Sequence, residues 1–124
     1  MYLHKALTDE QGNTYPMTGV IDGTTYYTGK LVRFGYVELT VGSGVKDTDV
    51  WCERIKGHEF HYYDSTNCGE AIQAVKPTGN RSWSCCHVGK AHWWGFPHLY
   101  YSSCPEFVKH FVEEMTAYSC KSNG

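Results

Sequence analysis

The sequence has no run of about 18 apolar residues, which excludes a transmembrane helix. No apolar h-region follows Met1-Tyr2-Leu3-His4-Lys5, so no secretory signal is visible. Charge is scarce and nearly balanced, with 11 Lys and Arg against 13 Asp and Glu in 124 residues. A pI near 6.4 gives no electrostatic reason to expect nucleic acid or an anionic membrane as partner. There is no P-loop, no G-x-G-x-x-G and no run of paired acids for magnesium, so no nucleotide site is visible. There is no H-E-x-x-H, no C-x-x-C, no internal repeat and no linker. These absences leave one cytoplasmic domain spanning residues 1–124.

What is plentiful is aromatic and sulfur-bearing. Aromatic residues make up 15% of the chain, with ten Tyr and four Trp, beside seven His and six Cys. The cysteines are Cys52, Cys68, Cys85, Cys86, Cys104 and Cys120. Without a signal peptide they read first as reduced thiols. Disulfides in a secreted chain are a second reading. A third is zinc held by His58-x-x-His61 and Cys85-Cys86-His87, although that spacing matches no standard structural site. The prediction for metal in this chain is none. The vicinal pair Cys85-Cys86 reads as two small buried residues.

Periodicity gives a coarse map. Residues 1–7, MYLHKAL, read as the end of a helix followed by a polar turn. Residues 16–21 read as a short strand, and Asp22-Gly23 as a turn. Residues 30–41, KLVRFGYVELTV, carry the strongest strand pattern, with Gly35 marking a bulge or a close backbone approach. Residues 55–63, IKGHEFHYY, alternate as a strand. His58, Phe60 and Tyr62 then share one face, and Glu59, His61 and Tyr63 the other. Residues 70–76 and 83–87 are weaker strands that pair antiparallel across Pro77-Thr78-Gly79-Asn80. Residues 93–99 read as a buried strand.

The final element is a helix. Ser103-x-x-Glu106 resembles a capping box, and Pro105 sits in its first turn. Phe107, Val108, Phe111, Val112 and Met115 form a stripe expected to be buried, with the helix ending near Tyr118.

Two segments carry candidate chemistry. Gly57-His58-Glu59-Phe60-His61-Tyr62 sets two histidines and a carboxylate within four residues. A half-buried strand with one satisfied histidine explains it equally well. Phe96-Pro97-His98-Leu99-Tyr100 places a histidine after an apolar strand and just before a helix. In an open α/β sheet that is where ligands bind and where a histidine can activate a nucleophile. A capped loop histidine is the plain alternative. No cysteine lies in a Gly-x-Cys-x-Gly elbow. Cys104 comes nearest to a nucleophile, because a helix N-terminus lowers a thiol pKa, but a structural role explains it better.

Three segments in this order show a resemblance: Phe34-Gly35-Tyr36-Val37-Glu38, Ile55-Lys56-Gly57-His58-Glu59-Phe60-His61-Tyr62, and Phe96-Pro97-His98-Leu99-Tyr100. Together they resemble the C-terminal glutamine amidotransferase domain of cobyrinic acid a,c-diamide synthases. Met1-Tyr2-Leu3 and Tyr15-Pro16-Met17-Thr18-Gly19 fit the same family, and the resemblance thins only across residues 68–93. Tyr63 stands where the family has Ser. Phe96 and Pro97 stand where it has Tyr-Leu, and Tyr100 where it has a second histidine.

The resemblance implies a partial flavodoxin-like α/β domain of the class I glutamine amidotransferase type, with a mixed sheet, antiparallel strands and a C-terminal helix. It implies that a cysteine attacks the glutamine amide and that His98 assists it. In the family that cysteine lies in a C-G-G segment just before M-Y-L, so here it is expected upstream of Met1. His58, Glu59, His61 and Tyr100 fall in the site or substrate-binding region. The intact enzyme is expected to use glutamine, a corrin-type tetrapyrrole, ATP and magnesium, through an upstream synthetase domain, in cobalamin biosynthesis. The piece alone is expected to be inactive, and to dimerise over its uncovered edges. The alternative is a stand-alone tetrapyrrole- or protein-binding module, with Trp83, Trp93, Trp94, Tyr62 and Tyr63 forming its pocket.

Overall fold

The structure is a computed structural model that describes residues 1–45 and 51–122. β-branched and aromatic residues dominate its strands: β1 (His4–Thr8), β2 (Thr14–Pro16), β3 (Ile21–Val41), β4 (Arg54–Ser65), β5 (Ile72–Val75), β6 (Ser82–Cys85), β7 (His87–Gly89), β8 (His92–Trp94) and β9 (His98–Leu99). A 3-10 turn (Tyr101–Ser103) leads into helix α1 (Pro105–Ser122). The result is an α/β arrangement of a mixed, curled sheet with a C-terminal helix. Among the described residues no helix is long and apolar enough to cross a membrane.

The 21-residue β3 is the spine. Along one edge it pairs first with β1 in parallel and then with β5 antiparallel. Along the other it pairs antiparallel with β4, whose far edge takes β9. The β3–β4 register shifts between Tyr27 and Val32 and again between Val32 and Gly35. The extra residues lie on β3 and bend it. Of the two readings of Gly35, a bulge or a close backbone approach, the register shift next to it shows the bulge. Gly35 sits at φ +100°, a conformation open to glycine at little cost.

Burial follows the period of two. Val37, Leu39, Ile55, Ile72, Ala74 and Cys85 point inward. They pack against Trp51, Cys52, Cys86, Cys104 and Phe107. The opposite face of β3 and β4 stays open to solvent.

Four local expectations differ. Residues 1–7 are not the end of a helix. Met1 to Leu3 turn, and His4 starts β1, because β3 offers it a parallel partner and residue 17 donates to Lys5 O at 2.9 Å. Of the strand expected over residues 16–21, only Pro16 and Ile21 are strand, ending β2 and starting β3, while Asp22-Gly23 lies within β3 instead of turning. Residues 93–99 split into β8, which pairs with β7, and β9, which pairs with β4. The capping box does not close as expected. Ser103 Oγ donates to Tyr100 O at 2.6 Å and accepts the Lys56 N–H at 2.9 Å, tying the helix entry to β4.

The apolar stripe of α1 is the largest departure. Phe107 is buried, but Val108, Phe111, Val112 and Met115 are exposed. The helix meets the sheet along its Phe107 edge, so most of its apolar arc faces solvent. The pairing of β5 with β6 is as expected.

Candidate functional site

The three segments that carried the sequence resemblance become neighbouring strands. Tyr36 on β3 lies opposite His58 on β4, and His58 lies opposite His98 on β9. Directly opposed residues of antiparallel strands project from the same face, so Tyr36, His58 and His98 form one rung across the solvent face. The Tyr36 and His58 rings meet edge-on at 5.6 Å. His98 is exposed and opens β9, instead of following a long strand's carboxyl end. Tyr100, also exposed, holds the next step of this edge by donating its N–H to Lys56 O at 2.8 Å.

Gly57 makes this edge possible. A Cβ there would stand 3.0 Å from His98 O and 3.2 Å from Leu39 Cδ1. Glycine lets β9 approach β4 closely enough to align His98 with His58.

The inner face holds a buried ionic cluster. Glu59 is fully buried. It accepts from His61 Nε2 at 2.6 Å and from Trp83 Nε1 at 3.1 Å. Arg33 Nε lies 3.7 Å from Oε2, the oxygen that His61 also contacts, while Trp83 takes Oε1. Arg33 also pairs with Asp64. His61 Nδ1 lies 2.6 Å from Tyr63 O, and its ring stacks on Phe96 at 4.4 Å. A lone buried carboxylate is costly, and these partners offset that cost. The strand alternation thus separates His58 from Glu59 and His61 as expected, and Phe96 ties the third of the resembling segments to the second from below.

Arg33 and Asp64 were not singled out by sequence, and Trp83 and Phe96 were named there without a link to Glu59 or His61. Arg33 reaches Glu59 because it sits in the β3 bulge at φ +53°, a left-handed conformation that turns its side chain inward. Asp64 follows the signature segment directly, which was the available signal. Burial opposes the Arg33 charge, but Cys68, Asp64 and Glu59 around it raise its pKa. Burial also pushes the Cys68 thiol up, against the pull of Arg33.

None of the cysteines described sits in an activated position. Cys104 is buried, with its thiol 3.6 Å from Glu106 Oε2. Burial and the neighbouring Cys104 thiol push Cys52 up to about 12. Cys86 contacts Cys85 at 3.7 Å, and that contact together with burial raises its pKa. All six cysteines are free. The residues weighed for zinc diverge: His58 faces outward, His61 inward, and His87 lies 3.3 Å from Asn67 O. Nor do the five aromatics weighed for a pocket converge. Trp83 binds Glu59, Tyr62 lies on the solvent face, and Trp93 and Trp94 line a groove of about 780 Å³ bounded by His98, Tyr101, Phe107 and Phe111.

Comparison with known proteins places the chain. No family model and no solved structure matches it. It is 35% identical over 125 residues to a protein named cobyrinate a,c-diamide synthase from Caldanaerobacter subterraneus, a match covering 98% of this chain and 27% of that protein. Proteins of the same name from Herminiimonas arsenicoxydans and Fusobacterium nucleatum are 31% and 29% identical, over 85% and 88% of the chain and 22% and 24% of their own length. The chain belongs to the cobyrinate a,c-diamide synthase family, of whose members it spans about a quarter of the length.

Proposed function

We propose that this chain is part of an ATP- and glutamine-dependent amidotransferase that converts the a and c acetate side chains of a corrin precursor into amides. In this reading it belongs to a flavodoxin-like glutamine amidotransferase domain whose nucleophilic cysteine lies outside these residues. The observation that carries the reading is the rung Tyr36–His58–His98, which joins three separate signature segments on adjacent strands.

His98 is the assisting base. Its imidazole takes the cysteine proton, so that the thiolate attacks the side-chain amide carbon of glutamine. It then returns a proton to the departing nitrogen, which leaves as ammonia. Water hydrolyses the thioester to glutamate. His58 lies opposite His98 and Tyr100 two residues beyond it, and both belong to the site region. Glu59 and His61 support that region from beneath, by holding β4. ATP with magnesium activates the acceptor carboxylates when bound. The sequence has no phosphate loop, and no step of that activation is assigned to these residues.

The chain alone is expected to release no ammonia from glutamine. A chimera tests the rest: these residues replace the matched stretch of the Caldanaerobacter protein. The expectation is glutamine-dependent amidation that His98→Asn abolishes, while amidation driven by added ammonia persists and reports a folded enzyme. Equal glutamine-dependent rates in His98→Asn and the unsubstituted chimera would overturn the role of His98.

A further inference from the structure

Helix α1 carries an apolar arc that none of the described residues covers. Val108, Phe111, Val112 and Met115 recur at the i, i+3, i+4, i+7 spacing of a helix that lays one face into a partner's groove. They are 39%, 49%, 53% and 56% exposed. Lys109 and Glu113 pair with each other at 3.9 Å, turned away from the arc. No charged residue falls within it.

The rest of α1 is held in place. Phe107 meets Trp51 at 5.0 Å and Trp93 at 5.1 Å. His110 Nε2 lies 3.3 Å from Lys90 O, and its ring lies 4.7 Å from Trp51. These contacts grip one side of the helix and leave the arc beside it open. Toward the sheet the arc runs into the groove of about 780 Å³. Val108 and Phe111 belong to both, and Trp93, Trp94, Leu99 and His98 also line the groove. Arc and groove form one apolar surface from Met115 to the edge strand that bears His98, and a surface of this kind marks a protein contact.

His98 decides what occupies it. In the proposed function a cysteine outside these residues gives its proton to His98, and that transfer needs the two groups within roughly 2.6–3.2 Å. The segment that bears the cysteine must therefore seat against β9, where the groove opens. The match spans 27% of the Caldanaerobacter protein, so most of that relative is left to supply such a segment. A second copy of this chain would fill the groove without completing the site, because it brings no Gly-x-Cys-x-Gly elbow. We propose that the groove and the open arc of α1 are the seat of the nucleophile-bearing part of the same enzyme, which receives α1 in an apolar cleft and so sets its cysteine beside His98. This rests on the proposed function for the identity of the occupant.

The test compares the full chain with the chimera by thiol footprinting. Cys120, an exposed thiol on α1, is first replaced by Ser. Met115→Cys on the arc and Glu113→Cys on the far side of the helix are then each treated with iodoacetamide and read by peptide mass spectrometry. In the free chain the two introduced thiols should react at similar rates, since both positions are exposed. In the chimera Met115→Cys should react about tenfold more slowly and Glu113→Cys as before. Val112→Asp sets an unpaired carboxylate in the seat. It should leave the urea midpoint of the free chain unchanged. In the chimera it should lower glutamine-dependent amidation roughly tenfold while ammonia-dependent amidation persists. Equal labelling of Met115→Cys in chain and chimera, with glutamine-dependent amidation intact, overturns the seat alone and leaves the amidotransferase reading standing. Full glutamine-dependent amidation in Val112→Asp does the same. Labelling of Met115→Cys in the free chain that speeds up on dilution assigns the arc to a second copy and overturns the proposal. A chimera that protects Met115→Cys but makes no amide from glutamine overturns the amidotransferase reading, and with it the identity of the occupant.

Discussion

The two faces of the β3–β4 pair are built from the same few residues and could hardly differ more. Gly57-His58-Glu59-Phe60-His61-Tyr62 sends His58, Phe60 and Tyr62 to water and Glu59 and His61 to the interior. Around Glu59 the inner face holds ion-paired charges beside the apolar core of Val37, Leu39 and Ile55, and the outer face holds aromatic rings, largely exposed. At residues 58–62 this inverts the usual sorting of apolar residues inward and charged residues outward. The inner charges fix the bulge and hold β4 in place. The outer rings are left for contact with something else. An exposed aromatic set and a buried charged set on one strand are therefore two parts of one arrangement, scaffold beneath and surface above.

The sharpest way to break the comparison is to empty one position on each face. Glu59→Ala removes the carboxylate and leaves Arg33, His61 and Trp83 without it. Breaking a buried pair this way costs roughly 3–5 kcal/mol. Phe60→Ala, at the very next residue, is expected to cost about 1 kcal/mol or less, because the ring is half exposed. Urea unfolding followed by tryptophan fluorescence checks both. Equal losses at the two positions would falsify the division of roles.

A smaller effect is expected at Gly57. The added Cβ of Gly57→Ala presses on His98 O and Leu39, so β9 must shift outward by a few tenths of an ångström. The expected cost is about 1–3 kcal/mol, in the range of overpacking. In the chimera, glutamine-dependent amidation should fall more than ammonia-dependent amidation. Parallel losses of both would show that β9 position does not matter to His98.

The smallest effect is a pH dependence beneath the other end of the sheet. Burial lowers the pKa of His4, which sits 2.7 Å from Ser65 Oγ. The folded state therefore binds this proton less readily than the unfolded chain. Stability from this group is full above pH 6.5 and is lost as pH falls below it. His4→Asn should flatten the decline in urea midpoint between pH 7 and pH 5. An unchanged slope would assign the decline to other groups.

Much of the site was readable because strand chemistry has a period of two. Alternation in residues 55–63 was enough to put His58 and Glu59 on opposite faces. The pairing of β5 with β6 followed from the turn between them. The bulge at Gly35 was visible as a glycine inside a strand pattern. What was not readable depended on partners distant in sequence. His4 and its neighbours form a strand because β3 lies beside them. The helical stripe Val108, Phe111, Val112 and Met115 looks like a core stripe, and only the docking of α1 along Phe107 leaves it exposed. Arg33 looks like an ordinary strand arginine until the bulge turns it inward.

By itself, then, the sequence determined the local periods, the faces of β4, the chemical types at the site and the family through its ordered segments. These depend on neighbours a few residues apart, where backbone geometry leaves few choices. Tertiary packing alone sets which segments lie side by side, that Tyr36, His58 and His98 share a rung, that Glu59 meets Arg33, His61 and Trp83, and which apolar face remains open. Those outcomes depend on register and on which surfaces compete for the same partner, and contacts such as Tyr36–His58 and His58–His98, 22 and 40 residues apart in the chain, set both.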